Sequence, residues 1–391
     1  MPVRHRSTRV SRRRPRRRLR WWLPLLLGAL LGAVYCGWSH PATRRTLAAG
    51  ARILADRLPG RAAAQAEPLT PADPLQTTVG SFTFGSAAVL EKCWTPAELA
   101  GTAADRNVLN HDPHPDLSPP ERTAPKHRRP PVPPAWRNSL REVEPRDNRR
   151  PIALTFDLCE RPRERTGYDA ALVNYLRANR VPATFFAGGK WLRSHPEPAM
   201  QLLADPLFEV GSHGWSHANH RVIPAEEGVR QVEWAQAEYE LLWERLAARP
   251  CARAAGDAAM ARIPPIPLLY RFPYGACDAA ALALLAEQGL PAVQWSIVTA
   301  DPSPHRSAAL IAATVLQRAR PGAIVIGHAN GRGHRTAEAL ALFVPKLREQ
   351  GYEFVTVSEL LMRGRAVAET ECYEERPGDN KKYDQLFREG R

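Results

Sequence analysis

The first 20 residues contain no aspartate and no glutamate, although ten arginines lie among them. Cysteine is scarce, at six of 391 residues, and glycine, at 25, falls far short of the one-in-three repeat of a collagen-like chain. Apolar residues are not scarce: they make up 44% of the chain, enough to bury a core, so full disorder is excluded. The formal net charge is +14, and subtracting the ten N-terminal arginines leaves about +4, ordinary for a soluble domain of this size. The basic excess belongs to one end of the chain, and no nucleic-acid partner is expected from it.

That end has a second feature. The run Arg12-Arg13-Arg14-Pro15-Arg16-Arg17-Arg18-Leu19-Arg20 is followed by an uncharged stretch from Trp21 to Trp38. As a helix those residues span roughly 27 Å, about a hydrocarbon core, with Trp21, Trp22, Tyr35 and Trp38 at the two interfaces. Arginines ahead of the span hold the N-terminus in the cytoplasm, so the rest of the chain is expected in the periplasm or outside the cell, anchored to the inner membrane. Secretion after signal cleavage is the alternative. Ala64-Gln65-Ala66 has the small-x-small form, but it lies far from the apolar stretch.

With Cys36 inside the span, the cysteines at 93, 159, 251, 277 and 372 remain. An odd number cannot all pair within one chain, so one or two bridges and at least one free thiol are expected in an oxidising compartment. The expected organisation is an Arg-rich tail at 1–20, an anchor or signal at 21–38, and a stalk with a small accessory region at 39–110. A Pro-rich linker or surface-hugging arm follows at 111–150, then the main folded domain at 151–363 and a charged, solvated tail at 364–391. Eleven prolines between His111 and Pro151 set the linker apart.

After Pro151 short apolar runs alternate with amphipathic segments, the signature of an α/β domain. Strands are predicted at 152–156, 183–187, 209–212, 268–272, 292–297, 323–326 and 353–357, and helices at 169–178, 226–247, 278–288, 307–319 and 336–350. Functional side chains in such folds gather where parallel strands end. Asp157 ends the first strand. His213 and His217 follow the third at a four-residue spacing, which on a helical turn would put both imidazoles on one face, able to share a metal. Tyr270-Arg271-Phe272-Pro273-Tyr274-Gly275 ends another strand, with an arginine suited to pairing a carboxylate. Asp301 and His328 sit at two further ends.

In this order the motifs resemble the polysaccharide deacetylase family, also called the NodB-homology domain or carbohydrate esterase family 4, over about residues 151–363. Thr155-Phe156-Asp157 is similar to its first motif, His213 and His217 to its His-x3-His, Arg271-x-Pro273-Tyr274 to its third, Trp295 and Asp301 to part of its fourth, and Ile326-Gly327-His328 to its fifth. The resemblance implies a distorted (β/α) barrel of the NodB type, here preceded by one transmembrane helix and a Pro-rich extension. It also implies hydrolysis of N-acetyl groups on an N-acetylhexosamine polysaccharide or peptidoglycan of the cell envelope. On that pattern Asp157 is the catalytic base, Arg271 with Asp301 behind it orients Asp157, Tyr274 supplies a backbone N–H to the oxyanion, and His328 is the acid. A divalent metal, zinc by expectation, sits on His213 and His217. Two positions depart from the pattern. Leu158 stands where the family has a second Asp as ligand, leaving Glu160, or else Cys159, as the expected substitute, and Val298 stands where the family often has Asp. Leu158 also motivates a non-catalytic glycan-binding pseudo-deacetylase as an alternative, and a metal-independent amidohydrolase acting on a small molecule is a third reading.

Overall fold

A run such as Ile152-Ala153-Leu154-Thr155-Phe156, apolar without alternation, makes a strand only if both of its faces are covered. In the computed structural model, which describes residues 84–388, strand β1 (Ser139–Pro145) is followed by β2 (Arg150–Leu158), which contains this run and is buried from its second residue to its last. Around β2 stand β3 (Ala183–Ala187), β4 (Phe208–Ser212), β5 (Ile297–Val298), β6 (Ile324–His328) and β7 (Tyr352–Val355). They form one parallel sheet in the order β4-β3-β2-β6-β5, with β7 paired to the N-terminal half of β2. The protein is thus an α/β fold built on a parallel sheet.

The expected helices are present, with ends set by local caps. Asp169 accepts from Leu172 N ahead of helix Ala170–Ala178, Asp278 from Ala281 N ahead of Ala279–Glu287, and Ser307 from Leu310 N ahead of Ala308–Arg318. Two predicted strands are not strands. Of 268–272 only Tyr270 is bridged, and of 292–297 only Ala292 and Val293, before Ile297 passes into β5. Pro264, Pro265, Pro267, Pro273 and Pro291 flank these stretches, and a proline donates no ladder hydrogen bond. The surviving bridges, Ser212 to Tyr270, Tyr270 to Ala292, Val293 to Leu140 and Glu142 to Ala323, lead from β4 through β1 to the start of β6.

The expected tail and anchor at 1–38 lie outside the described residues. Among the described residues no helix is long and apolar enough to cross a membrane. The Pro-rich segment is an arm laid on the domain rather than a linker. The amides of Lys126 and His127 donate to Glu240 at 2.6 and 3.1 Å, Arg129 donates to Gln236 and Pro267, and Leu109 pairs with Arg165. Nor is the C-terminal segment free in solvent. Strand β8 (Gly364–Glu369) pairs antiparallel with β1, and Cys372 is bridged to Cys277. A second bridge, Cys93 to Cys251, ties helix Ala87–Cys93 to helix Pro250–Ala255. Cys159 is the free cysteine among the described residues.

Candidate active site

Register brings the first residues together. Asp157 of β2 is the sheet partner of His328 at the end of β6, while β4 ends two strands away at Ser212, immediately before His213. The Asp157 carboxylate accepts from Arg271 Nη1 at 2.9 Å through Oδ1. Arg271 is itself fully buried. Its remaining donors go to the carbonyls of Val293 and Gln294, and its plane lies 4.0 Å over the Phe186 ring. Burial lowers the guanidinium pKa and Asp157 opposes that shift. Fixed at three points, the arginine holds the carboxylate in one orientation.

The other Asp157 oxygen, Oδ2, lies 3.6 Å from His213 Nε2. On the far side of that ring Nδ1 is 2.8 Å from the Arg271 carbonyl, and because a carbonyl only accepts, Nδ1 carries the proton. His217 meets His213 with ring centroids 4.9 Å apart. The pairing does not come from a helix, as the spacing suggested. The chain after β4 is a loop that turns through Gly214 (φ +74°) and His217 (φ +57°), and at Gly214 a Cβ would stand 2.8 Å from the Tyr270 hydroxyl oxygen. Burial, followed by Asp157 and Arg271 in opposition, leaves the His213 pKa lowered, and burial with His213 alongside drives His217 well below the ordinary imidazole value.

Glu160, the expected third metal donor, faces elsewhere. Its Oε2 accepts from Thr166 N and from Ser194 Oγ, each at 3.0 Å, because the chain turns after Cys159 toward helix Gly189–Ser194. Burial pushes its carboxyl up to about 7. The side chain beside the two histidines is Cys159: donor atoms of Cys159, His213 and His217 all lie within 4.8 Å of one another. Burial, with Asp157 nearby, pushes the free thiol up to about 12.

Asp301 was expected behind Arg271, and the structure places it against His328 instead. Oδ1 is 3.0 Å from His328 Nδ1, and Oδ2 accepts from His328 N at 2.8 Å and from Thr336 Oγ1 at 2.7 Å. Thr299, two residues before Asp301, adds a hydroxyl to Oδ1. Burial alone would raise the Asp301 carboxyl, but His328 and these donors outweigh it and hold it low; burial opposes charge on His328, yet Asp301 raises its pKa. Val298 lies in β5, and the support the family pattern would place there is absent. Arg271 is held instead by the two carbonyls.

Tyr274 occupies a left-handed conformation (φ +59°) after Pro273 and packs on His217 with centroids 4.3 Å apart. Its other neighbour was not legible in the sequence. Tyr383 of the C-terminal segment packs against it at a tilt with centroids 5.1 Å apart, and Asn380 donates to the carbonyls of Tyr274 and Gly275. Also missed was Asn330, which is fully buried and donates to the Cys159 carbonyl and to its Sγ.

A metal ion suits these residues. His213 Nε2 is buried without a hydrogen-bond partner, and as the unprotonated nitrogen of a neutral ring it directs a lone pair toward a carboxylate oxygen. That juxtaposition is unfavourable unless a cation or a proton stands between the two, and burial disfavours the proton.

A carboxylate clamped by a buried arginine, a His/Cys cluster and an Asp-backed histidine, gathered at and just beyond the ends of parallel strands, define an α/β protein with the groups for acid–base chemistry. The polysaccharide deacetylase family model matches residues 144–293. A chitooligosaccharide deacetylase of Bradyrhizobium sp. (strain ANU 289) is 30% identical over 227 residues, 54% of this chain and 90% of the relative. The protein belongs to the polysaccharide deacetylase family. A peptidoglycan-N-acetylglucosamine deacetylase of Bacillus cereus is 29% identical over 55% of this chain and 90% of its own length. The peptidoglycan-N-acetylglucosamine deacetylase of Listeria monocytogenes is 31% identical over 56% of this chain, which spans only 40% of that longer protein.

Proposed function

We propose that the protein is a hydrolase that removes N-acetyl groups from an N-acetylhexosamine-containing polysaccharide or peptidoglycan. The observation that carries the reading is the placement of Asp157 between Arg271 and His213, one strand from an Asp301-backed His328. His213 and His217 would hold a divalent metal, which would supply Lewis acidity for the hydrolysis. Asp157, oriented by Arg271, removes the proton from that water. The backbone N–H of Tyr274 donates to the oxyanion as the carbonyl carbon becomes tetrahedral. His328, its Nδ1–H engaged by Asp301, gives the Nε2 proton to the departing amine, and acetate and a free amino sugar result. The names of the relatives support the substrate class.

The site is further proposed to work outside the inner membrane, with residues 21–38 as anchor. The arginine run ahead of that span and two disulfides in the described residues support an oxidising compartment. The test of function is acetate release by the full chain on N-acetylglucosamine oligomers and on peptidoglycan, before and after chelation. Acetate that disappears with chelator and returns with zinc is expected; no acetate under any metal condition overturns the reading. A reporter fused after Arg391 should be active only outside the cytoplasm.

A further inference from the structure

We propose that the Cys159 thiolate is the third protein donor of the metal site, and that it makes the site selective for a thiophilic divalent ion, zinc above all, over magnesium or manganese. The inference rests on the hydrolase reading only in assuming that the site takes a metal.

Of the other residues on the turn after β2, neither Leu158 nor Glu160 offers a donor here, and the free Asp157 oxygen, Oδ2, faces His213 as the proposed base. Leu158 is fully buried in the hydrophobic core and has no donor atom. Asp157 is held by Arg271 through one oxygen, and Glu160 is turned to Thr166 and Ser194. Four other cysteines are consumed in disulfides, and Cys159 alone among the described residues keeps a thiol. Its sulfur lies within 4.8 Å of the donor nitrogens of both histidines.

Two further observations point to a ligand there. His213 Nε2, on a residue only 1% exposed, has no hydrogen-bond partner. Behind the cysteine, Asn330 donates through Nδ2 to the Cys159 carbonyl at 2.7 Å and to Sγ at 3.1 Å. One amide therefore fixes both the backbone and the sulfur, and an N–H aimed at sulfur suits an anionic acceptor. A thiolate keeps the single negative charge that a carboxylate ligand would bring, so the charge of the donor set is unchanged while its softness is not. Soft thiolate donors favour zinc, whereas magnesium and manganese prefer oxygen.

The test uses the full chain carrying Cys36→Ser, so that Cys159 is the one free thiol. Zinc-edge X-ray absorption of the zinc-loaded protein is expected to show one sulfur at about 2.3 Å together with nitrogen donors. Cobalt(II) should give a near-ultraviolet thiolate-to-cobalt charge-transfer band that millimolar magnesium does not displace. Cys159→Ser should remove both signatures and weaken zinc binding by more than the roughly 10- to 100-fold that losing an outer hydrogen-bond partner costs. Zinc bound with nitrogen and oxygen neighbours only overturns the thiolate and leaves the hydrolase reading standing. A chain that binds no divalent metal and releases no acetate overturns both. The absorption measurement needs no Cys159 variant, so poor folding of Cys159→Ser does not decide the outcome.

Discussion

Arg271 Nη1 donates to Asp157 Oδ1 at 2.9 Å, and the two side chains are 0% and 5% exposed. A buried charge pair of this kind is costly to break from one side, because the surviving charge has no solvent to turn to. Arg271→Met is therefore expected to lower stability by about 3–5 kcal/mol in urea unfolding, as well as abolishing acetate release. Unaltered stability would show that the carboxylate finds another partner. Asp157→Asn keeps an acceptor for Arg271 but leaves its buried charge uncompensated, so it should also lower stability, by less than Arg271→Met, and cost on the order of 10²–10⁴ in rate.

The Asp301–His328 contact gives a signed pH dependence. Asp301 raises the His328 pKa above the ordinary imidazole value, and the proposed acid works only while protonated. Activity should therefore fall as pH rises through that raised pKa. Asp301→Asn removes the charge that raises it, so the alkaline limb of kcat/KM should move to lower pH. An alkaline limb that stays in place would assign the proton donor to another group.

Glu160 is predicted to be a structural acid rather than a ligand. Its carboxyl is raised to about 7 from an ordinary 4.5, so the folded chain binds this proton more tightly than the unfolded chain. The contribution to stability is fullest below the unfolded value, declines between about 4.5 and 7, and is flat above, a total of up to about 3 kcal/mol. Glu160→Gln should flatten that decline and raise the melting temperature at pH 8 while leaving zinc stoichiometry intact. Loss of zinc in this variant would restore Glu160 to the metal site.

The bridge between Cys277 and Cys372 holds the segment that carries Asn380 and Tyr383 against Tyr274. Replacing both cysteines by serine should cost about 2–5 kcal/mol and lower kcat as the left-handed Tyr274 turn loses its support. If stability falls and kcat does not, the segment braces the fold without acting on the turn.

Much of this arrangement is local and was therefore legible in the chain. The unbroken apolar run of β2 required burial on both faces, and the helices expected from 169, 278 and 307 begin where Asp169, Asp278 and Ser307 cap them. The strand-end positions of Asp157, His213 and His328 followed from that alternation alone, whereas the strand expected to carry Arg271 did not form. Which of them touch was a matter of register and loop path, and these depend on contacts between residues from 27 to 171 positions apart. Only the tertiary structure paired Asp301 with His328 rather than with Arg271, because both sit where β5 and β6 end side by side. It likewise turned Glu160 away and Cys159 inward, since the turn after β2 is shaped by nearby Thr166 together with Ser194 and Asn330 from two other parts of the chain. Prolines that read as a linker or a surface-hugging arm form the arm because Glu240 and Gln236 of a distant helix accept from Lys126, His127 and Arg129. The sequence by itself determined the family, most elements of the parallel-sheet domain and the chemical inventory, set largely by neighbours along the chain. Folding alone decided which donors converge on one point, because convergence is a property of packing.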